Sequence, residues 1–365
     1  MTALLKPEER VIYALRELYC SRGYVPFKMS KFEAYELYMQ NKDFLVSNGI
    51  ITFTETDGTL MALKPDVTLS IVKNFRRDET PLQKVYYSEN VYRKDDSSHT
   101  FREIMQAGLE CLGDVGVYEL CEVILLAVNS LKTISDRFVL DISHLQIVTE
   151  ILDNMELSFE QRASVLQAIA DKNEDGLEIT DTDTSLLHTL LQTCGPIAQV
   201  LPKLSNLCKT ALSRQALVQL ETICEVLKQN DLAQYVQLDF SIVNDMNYYN
   251  GIVFRGYVDG IPSGLLAGGQ YDNLMTKMNK NAGGIGFAVY LDQLERLNLQ
   301  SKEFDVDTVL LYDKSADISA LSQAAKELSP DGESVLVLKK KPDGLRFRRL
   351  MYFENGRVEL LEKNG

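Results

Sequence analysis

The six cysteines, Cys20, Cys111, Cys121, Cys194, Cys208 and Cys224, include no Cys-x-x-Cys pair and have no histidine partner at metal-ligand spacing. That absence argues against a zinc framework or a disulfide scaffold, and the thiols are read as reduced residues in apolar or helical surroundings. No run approaches the roughly twenty apolar residues that a membrane-spanning helix requires. The N-terminal MTALLKPEERVIYALRELY alternates charged and apolar residues and lacks the apolar stretch of a signal peptide. Positive charge is also short, with 38 basic against 52 acidic residues and a formal net charge of -14. Such a surface on average repels phosphate backbones, which counts against a dedicated nucleic-acid binder. Internal repeats and low-complexity segments are missing too. The expectation is a cytoplasmic protein with no membrane partner, no metal and no cofactor.

What is present is a chain of 365 residues, 45% hydrophobic, long enough for two or three domains. Apolar residues at Val11, Ile12, Ala14, Leu15, Leu18 and Tyr19 predict an amphipathic opening helix over residues 7 to 21. Ile50–Thr54 and Leu60–Leu63 flank Thr56-Asp57-Gly58 and read as a hairpin. Pro65 sits where a helix could begin, with Asp66 and Thr68 in its first turn. Two longer strands, Lys84–Arg93 and Phe101–Leu112, enclose a polar loop, and Val117–Ser135 is a strongly apolar helix. The pattern is then helical over 143–232 and returns to strand at Val236–Ile242, Ile252–Val258, Leu265–Gly268 and Gly286–Val289, before a helix through Leu297.

This order predicts an α+β protein: a core over 1–300 interrupted by a helical insertion at about 150–232, with a small C-terminal α/β domain over 305–365. In that tail, strands Thr308–Tyr312 and Ser334–Leu338 surround a helix, and Leu350–Leu361 closes the chain around a turn. Its basic cluster, Lys339-Lys340-Lys341 with Arg346, Arg348 and Arg349, is read as a solvated charged face.

Three blocks are more specific. Val91-Tyr92-Arg93-Lys94-Asp95 and, after a loop, FREIMQAGLE over 101–110 form the first. Asn247-Tyr248-Tyr249-Asn250-Gly251 is the second, and Ala267-Gly268-Gly269-Gln270-Tyr271-Asp272 followed by Gly286-Phe287-Ala288 is the third. Together they resemble the class II aminoacyl-tRNA synthetases, in particular the histidyl branch. The resemblance implies an antiparallel sheet flanked by helices. It places Arg93, and with it Arg102, at the phosphates of ATP, where a guanidinium fork suits the oxygens. It also implies a pocket for free L-histidine: Asp66, Thr68 and Gln106 at the ammonium, Glu110 and Tyr249 at the imidazole, and Tyr248 beside them.

The resemblance fails where adenylation needs positive charge. The family arginine of the histidine segment falls at Asn244 and the following aspartate at Asn247, while the motif 3 arginine falls at Gln293, with Arg296 one helical turn further on. Removing one such group commonly slows a reaction about a hundred- to a thousand-fold. The proline of motif 1 is replaced by Ser30, so that motif does not itself assert a dimer. Retaining the pocket while shedding adenylation resembles the ATP phosphoribosyltransferase regulatory subunits, as does Pro65-Asp66-Val67-Thr68 where synthetases carry glutamate. This implies histidine as effector and, as partner, a short-form catalytic subunit, assembled as a hetero-octamer with self-association as a dimer and without tRNA. A working histidyl-tRNA synthetase and a freestanding histidine sensor are the alternatives.

Overall fold

The computed structural model describes residues 7–45, 49–77, 80–94, 100–177, 184–243, 246, 248–297, 304–329, 332–341 and 343–364. Asn244, Asn247, Ser301-Lys302-Glu303 and most of the polar loop after Lys94 lie outside them. Helix α1 (Pro7–Cys20) leads into β1 (Val25–Pro26), β2 (Phe32–Ala34) and α2 (Tyr35–Gln40), and the hairpin β3 (Thr52–Thr54) and β4 (Leu60–Leu63) precedes α3 (Thr68–Asn74). Strands β5 (Leu82–Lys94) and β6 (Phe101–Gly113) are followed by α4 (Val117–Ile134) and β7 (Phe138–His144). Next come α5 (Leu145–Asp153), α6 (Phe159–Ala170), α7 (Ser185–Gln192), the two-residue β8 (Gly195–Pro196), α8 (Ile197–Val200) and α9 (Ala211–Gln229). Then β9 (Val236–Leu238), β10 (Ile252–Val258), β11 (Leu266–Gln270), α10 (Asp272–Lys277) and β12 (Gly283–Tyr290) follow.

Nine of these strands form one sheet in the order β1-β5-β6-β12-β11-β10-β7-β9-β8, antiparallel except where β1 meets β5 and β7 meets β9. Strand alternation sorts its side chains into two faces. On β6, Ala107, Leu109 and Cys111 join the main apolar core with Ile285, Phe287 and Val289 of β12 and residues of α1 and α4. Their neighbours Gln106, Gly108, Glu110, Gly286 and Ala288 face the other way. On that side a second core gathers Leu69, Ile71 and Val72 of α3 around Val85, Tyr87 and Tyr271. The candidate polar residues therefore share one face because their spacing is even.

Several expectations are refined. The helix after Pro65 begins at Thr68, and Asp66 lies before it, accepting the Leu69 backbone N–H at 2.8 Å. Strand β7 occupies a stretch left unassigned before the helical region, and takes Ser143 and His144 out of that region. Residues 291–297 form a 3-10 helix. Apart from β8, the regular elements described between β7 and β9 are helices, and Val165, Leu190 and Leu227 from this stretch bury into the same core as the sheet.

A second compact unit lies at the C-terminus. Its sheet, in the order β14-β13-β15-β16, is built from β13 (Val306–Tyr312), β14 (Val335–Leu338), β15 (Phe347–Glu354) and β16 (Arg357–Lys363), with α11 (Ile318–Glu327) between the first two. Four members of its basic cluster are matched by acids: Arg346 by Asp305 at 2.7 Å, Lys341 by Glu362 at 2.5 Å, Arg348 by Asp307 at 3.4 Å and Arg349 by Glu333. This pairing leaves little of the field that a phosphate backbone would feel. All six cysteines are free.

Candidate functional site

A cavity of about 440 Å³ opens on the polar face of the sheet. Asp66, Thr68, Arg93, Gln106, Glu110, Tyr248 and Tyr249 all line it. Segments nearly two hundred residues apart in sequence thus converge on one site.

The segment carrying Asp66 is clamped to β5 before α3 begins. Tyr92 donates its backbone N–H to the Lys64 carbonyl at 2.9 Å, and the Arg93 Nε donates to the Pro65 carbonyl at 2.8 Å. The buried Lys64 ammonium also donates to Glu89 at 2.6 Å. Arg93 is thereby turned toward the Asp66 segment. Burial raises the Asp66 carboxyl above its usual range, against the pull of Arg93 and of the Leu69 and Thr68 backbone N–H groups.

Glu110 lies on the cavity lining and is only 2% exposed. The Thr68 hydroxyl donates to one of its oxygens at 2.6 Å, and the Tyr271 hydroxyl donates to the other at 2.5 Å. Burial dominates even so, raising the carboxyl to about 8 against those two bonds, with Asp66 adding to the rise. Thr68 is therefore tied to Glu110 as well as adjoining Asp66. Gly286 is required here, because a Cβ at that position would be built into the Glu110 carboxylate and against the Leu109 carbonyl. The aromatic wall is tightly grouped: the Tyr248 ring lies 4.6 Å from Tyr249, 6.0 Å from Tyr271 and 6.1 Å from Phe44. Buried Nε2 of Gln106 has no hydrogen-bond partner, so a donor on the cavity lining awaits an acceptor.

Two candidates lie elsewhere. Arg102 pairs with Arg93 across the strands but is exposed at the outer end of β6, 3.7 Å from Asp292, and does not line the cavity. Gln293 bonds Ser263 and Asp292 and does not line it either. The side chain of Arg296 is outside the described residues. The residue that sequence reasoning missed most clearly is Tyr271. It was visible only as part of a glycine-rich strand, and its role comes from the turn between β11 and α10 that carries it to Glu110. Tyr271→Phe removes one donor to the carboxylate. The expected outcome is a further upward shift of the Glu110 titration, read from its carboxyl stretch in pH-difference infrared spectra.

Among the described residues no group of three His, Cys, Asp or Glu is placed to hold a metal ion, and no helix is long and apolar enough to cross a membrane. The sheet order and the polar site on its open face define a class II aminoacyl-tRNA-synthetase-like protein. The sequence model of histidyl-tRNA synthetase matches residues 4–294, and the chain belongs to that family. Curated relatives are named ATP phosphoribosyltransferase regulatory subunit. The one from Clostridium kluyveri is 26% identical over 344 residues, covering 90% of this chain and 88% of its own length. The one from Alkaliphilus metalliredigens is 29% identical over 295 residues, 77% of this chain and 74% of that protein. A solved ATP phosphoribosyltransferase regulatory subunit/histidyl-tRNA synthetase from Bacillus halodurans superposes with a TM-score of 0.76 at 24% identity, covering 95% of this chain and 93% of that one. An ATP phosphoribosyl transferase (HisG:HisZ) complex from Thermotoga maritima gives 0.61 at 20% identity, covering 77% of this chain and 96% of its own. At these identities the structural likenesses establish the shared fold.

Proposed function

We propose that this protein is a non-catalytic regulatory subunit that activates a separate short-form ATP phosphoribosyltransferase and makes it responsive to histidine. The observation that carries this is the asymmetry of the site. The residues suited to a free amino acid converge in one cavity, while Arg102 and Gln293, at the adenylation positions, lie outside it. Arg93, which could hold a phosphate, is engaged with the Pro65 carbonyl instead. Loss of charge at Asn244 and Asn247 agrees with this reading. The names borne by the curated relatives support it independently.

In this role Asp66 and the amide oxygen of Gln106 receive the ammonium, while Glu110, oriented by Thr68 and Tyr271, meets the imidazole together with Tyr249. Tyr248 closes the aromatic wall. No cofactor is needed. The subunit is cytoplasmic and assembles with its catalytic partner as a hetero-octamer in which copies of this chain pair as dimers. Histidine then regulates only by binding the active and the inhibited assemblies with different affinity. Couplings of this kind typically amount to about 1–3 kcal/mol, roughly 5- to 150-fold.

The test is the rate of phosphoribosyl transfer to ATP by the short catalytic subunit of the same organism, with and without this protein, across a histidine titration. Strong activation that histidine reverses is the expected result. A folded preparation that fails to activate, yet supports histidine-dependent pyrophosphate exchange, would instead make the chain a working synthetase.

A further inference from the structure

A second depression, of about 430 Å³, lies where the first half of α4 meets the last half of α9 beside the end of α1, and it shares no lining residue with the histidine cavity. Val117, Cys121 and Leu125, one turn apart along α4, line one side, and Thr222 and Val226 of α9 line the other. Helix α4 is buried along most of its length, yet Tyr118 at this rim is 65% exposed, and Val218, one turn before Thr222, is 57% exposed. The two helices thus border an apolar groove about 12 Å long, two helical turns, that stays open to solvent. Contiguous exposed apolar surface of this kind marks a place of association.

The polar groups of the groove say what fits it. The Thr222 hydroxyl donates back to the Val218 carbonyl at 2.9 Å, and the Asn230 amide donates to the Val226 carbonyl at 2.8 Å. Glu122 is matched: the Lys84 ammonium donates to one oxygen at 2.6 Å and the Tyr118 hydroxyl to the other at 3.3 Å. The Arg22 guanidinium also lines the groove, and among the described residues no side chain or carbonyl pairs with it. In a chain with 52 acidic and 38 basic residues, an unmatched cation beside an apolar groove is the exception. Its complement is a carboxylate brought by another molecule, one that also carries apolar side chains. Both walls are helices and offer no free strand edge, so the occupant is held by side-chain packing, the way a third helix lies along two others.

We propose that the groove between α4 and α9 docks an amphipathic helix of the catalytic partner, with apolar side chains seated between the two helices and a carboxylate against Arg22. The proposal rests on the reading of this chain as a regulatory subunit and gives the association a place. Tyrosine and arginine at the rim are the side chain types that carry most of the energy at protein interfaces.

Calorimetric titration of the full chain with the short-form catalytic subunit tests it, alongside L-histidine binding by the chain alone as a check on folding. Tyr118→Ala is expected to weaken the association about 10- to 100-fold. Arg22→Glu should weaken it about tenfold and flatten its dependence on salt, with Arg22→Lys recovering part of both. Histidine affinity of the uncomplexed variants stays native, since neither residue lines that cavity. If Tyr118→Ala does not fold, the exposed and unmatched Arg22 carries the test. Native affinity for the partner in both folded variants overturns the groove and leaves the regulatory reading standing. Sedimentation of the chain alone supplies a second check: loss of self-association in Tyr118→Ala assigns the groove to a second copy of this chain and overturns the proposal. A folded native protein that does not bind the catalytic subunit at all overturns the regulatory reading and this proposal with it.

Discussion

Glu110→Gln is expected to weaken histidine binding by about a hundredfold or more, because it removes an ionisable group that is fully buried and shaped to the ligand. It should also erase a characteristic pH profile. In the empty cavity Glu110 keeps its proton to about 8, whereas free imidazole takes one up below about 6.5. Between those limits the carboxyl brings one proton and the ring a free acceptor, so the hydrogen bond between them forms without exchange with solvent. Above about 8 the ionised site must take a proton from solution, and below about 6.5 the charged ligand meets a site that must release one. Affinity measured against pH should therefore be bell-shaped in the native protein, and the fall above about 8 should be missing from the variant. Stability carries the same signature with its own sign. Unfolded, the carboxyl ionises near 4.5; folded, it holds its proton to about 8. The native state binds more protons throughout that window, so this group's contribution to stability declines as pH rises from about 4.5 to about 8 and is constant outside it. Denaturant unfolding of Glu110→Gln should lack that decline, and a decline of equal size in both proteins would show that Glu110 is not its source.

Gly286→Ala is the second large effect. The added methyl meets the Glu110 carboxylate and the Leu109 carbonyl at once. The carbonyl belongs to a backbone locked by eight consecutive β12–β6 pairs, from Gly283↔Gly113 to Tyr290↔Gln106, and cannot withdraw alone. Overpacking of this kind typically destabilises by about 1–3 kcal/mol. Histidine binding should vanish in the calorimeter, because the displaced side chain is Glu110 itself. Gly264→Ala is the control for stability, since its Cβ would find only ordinary contacts, with the Tyr257 ring and the Gly256 carbonyl. It should unfold within about 0.5 kcal/mol of the native protein, and similar behaviour of the two variants would mean that the sheet yields more easily than its pairing implies.

The parts of this fold that were legible in the sequence are those with a clear period. The β-prone run Phe101–Leu112 was readable as a strand, helical spacing marked α1, and a long apolar run marked α4. Strand β7 was missed because its apolar run, Phe138 to Ile142, is short and lies between two helices, where period alone does not separate strand from helix. Helix α10, six residues long, is too short to show a period. Among site residues, Asp66, Thr68, Gln106, Glu110, Tyr248 and Tyr249 were readable from family-like blocks, and the structure gathers them. Arg102 was misplaced because adjacency to a motif says nothing about which end of a strand reaches the cavity. Tyr271 became visible only through its partner on another strand, Glu110.

The floor strands β6, β12, β11 and β10 lie in the interior of the nine-stranded sheet, with a hydrogen-bonded neighbour on either side of each. Such a floor does not fray at an edge. Its amides around Gly108, Glu110 and Gly286 should exchange with deuterium only when the whole sheet opens, with or without ligand. Residence time in the cavity should then be set by the lining residues that lie outside the sheet, among them Phe44, Val67, Tyr248 and Tyr249. The ligand clock and the unfolding clock of this protein should run independently.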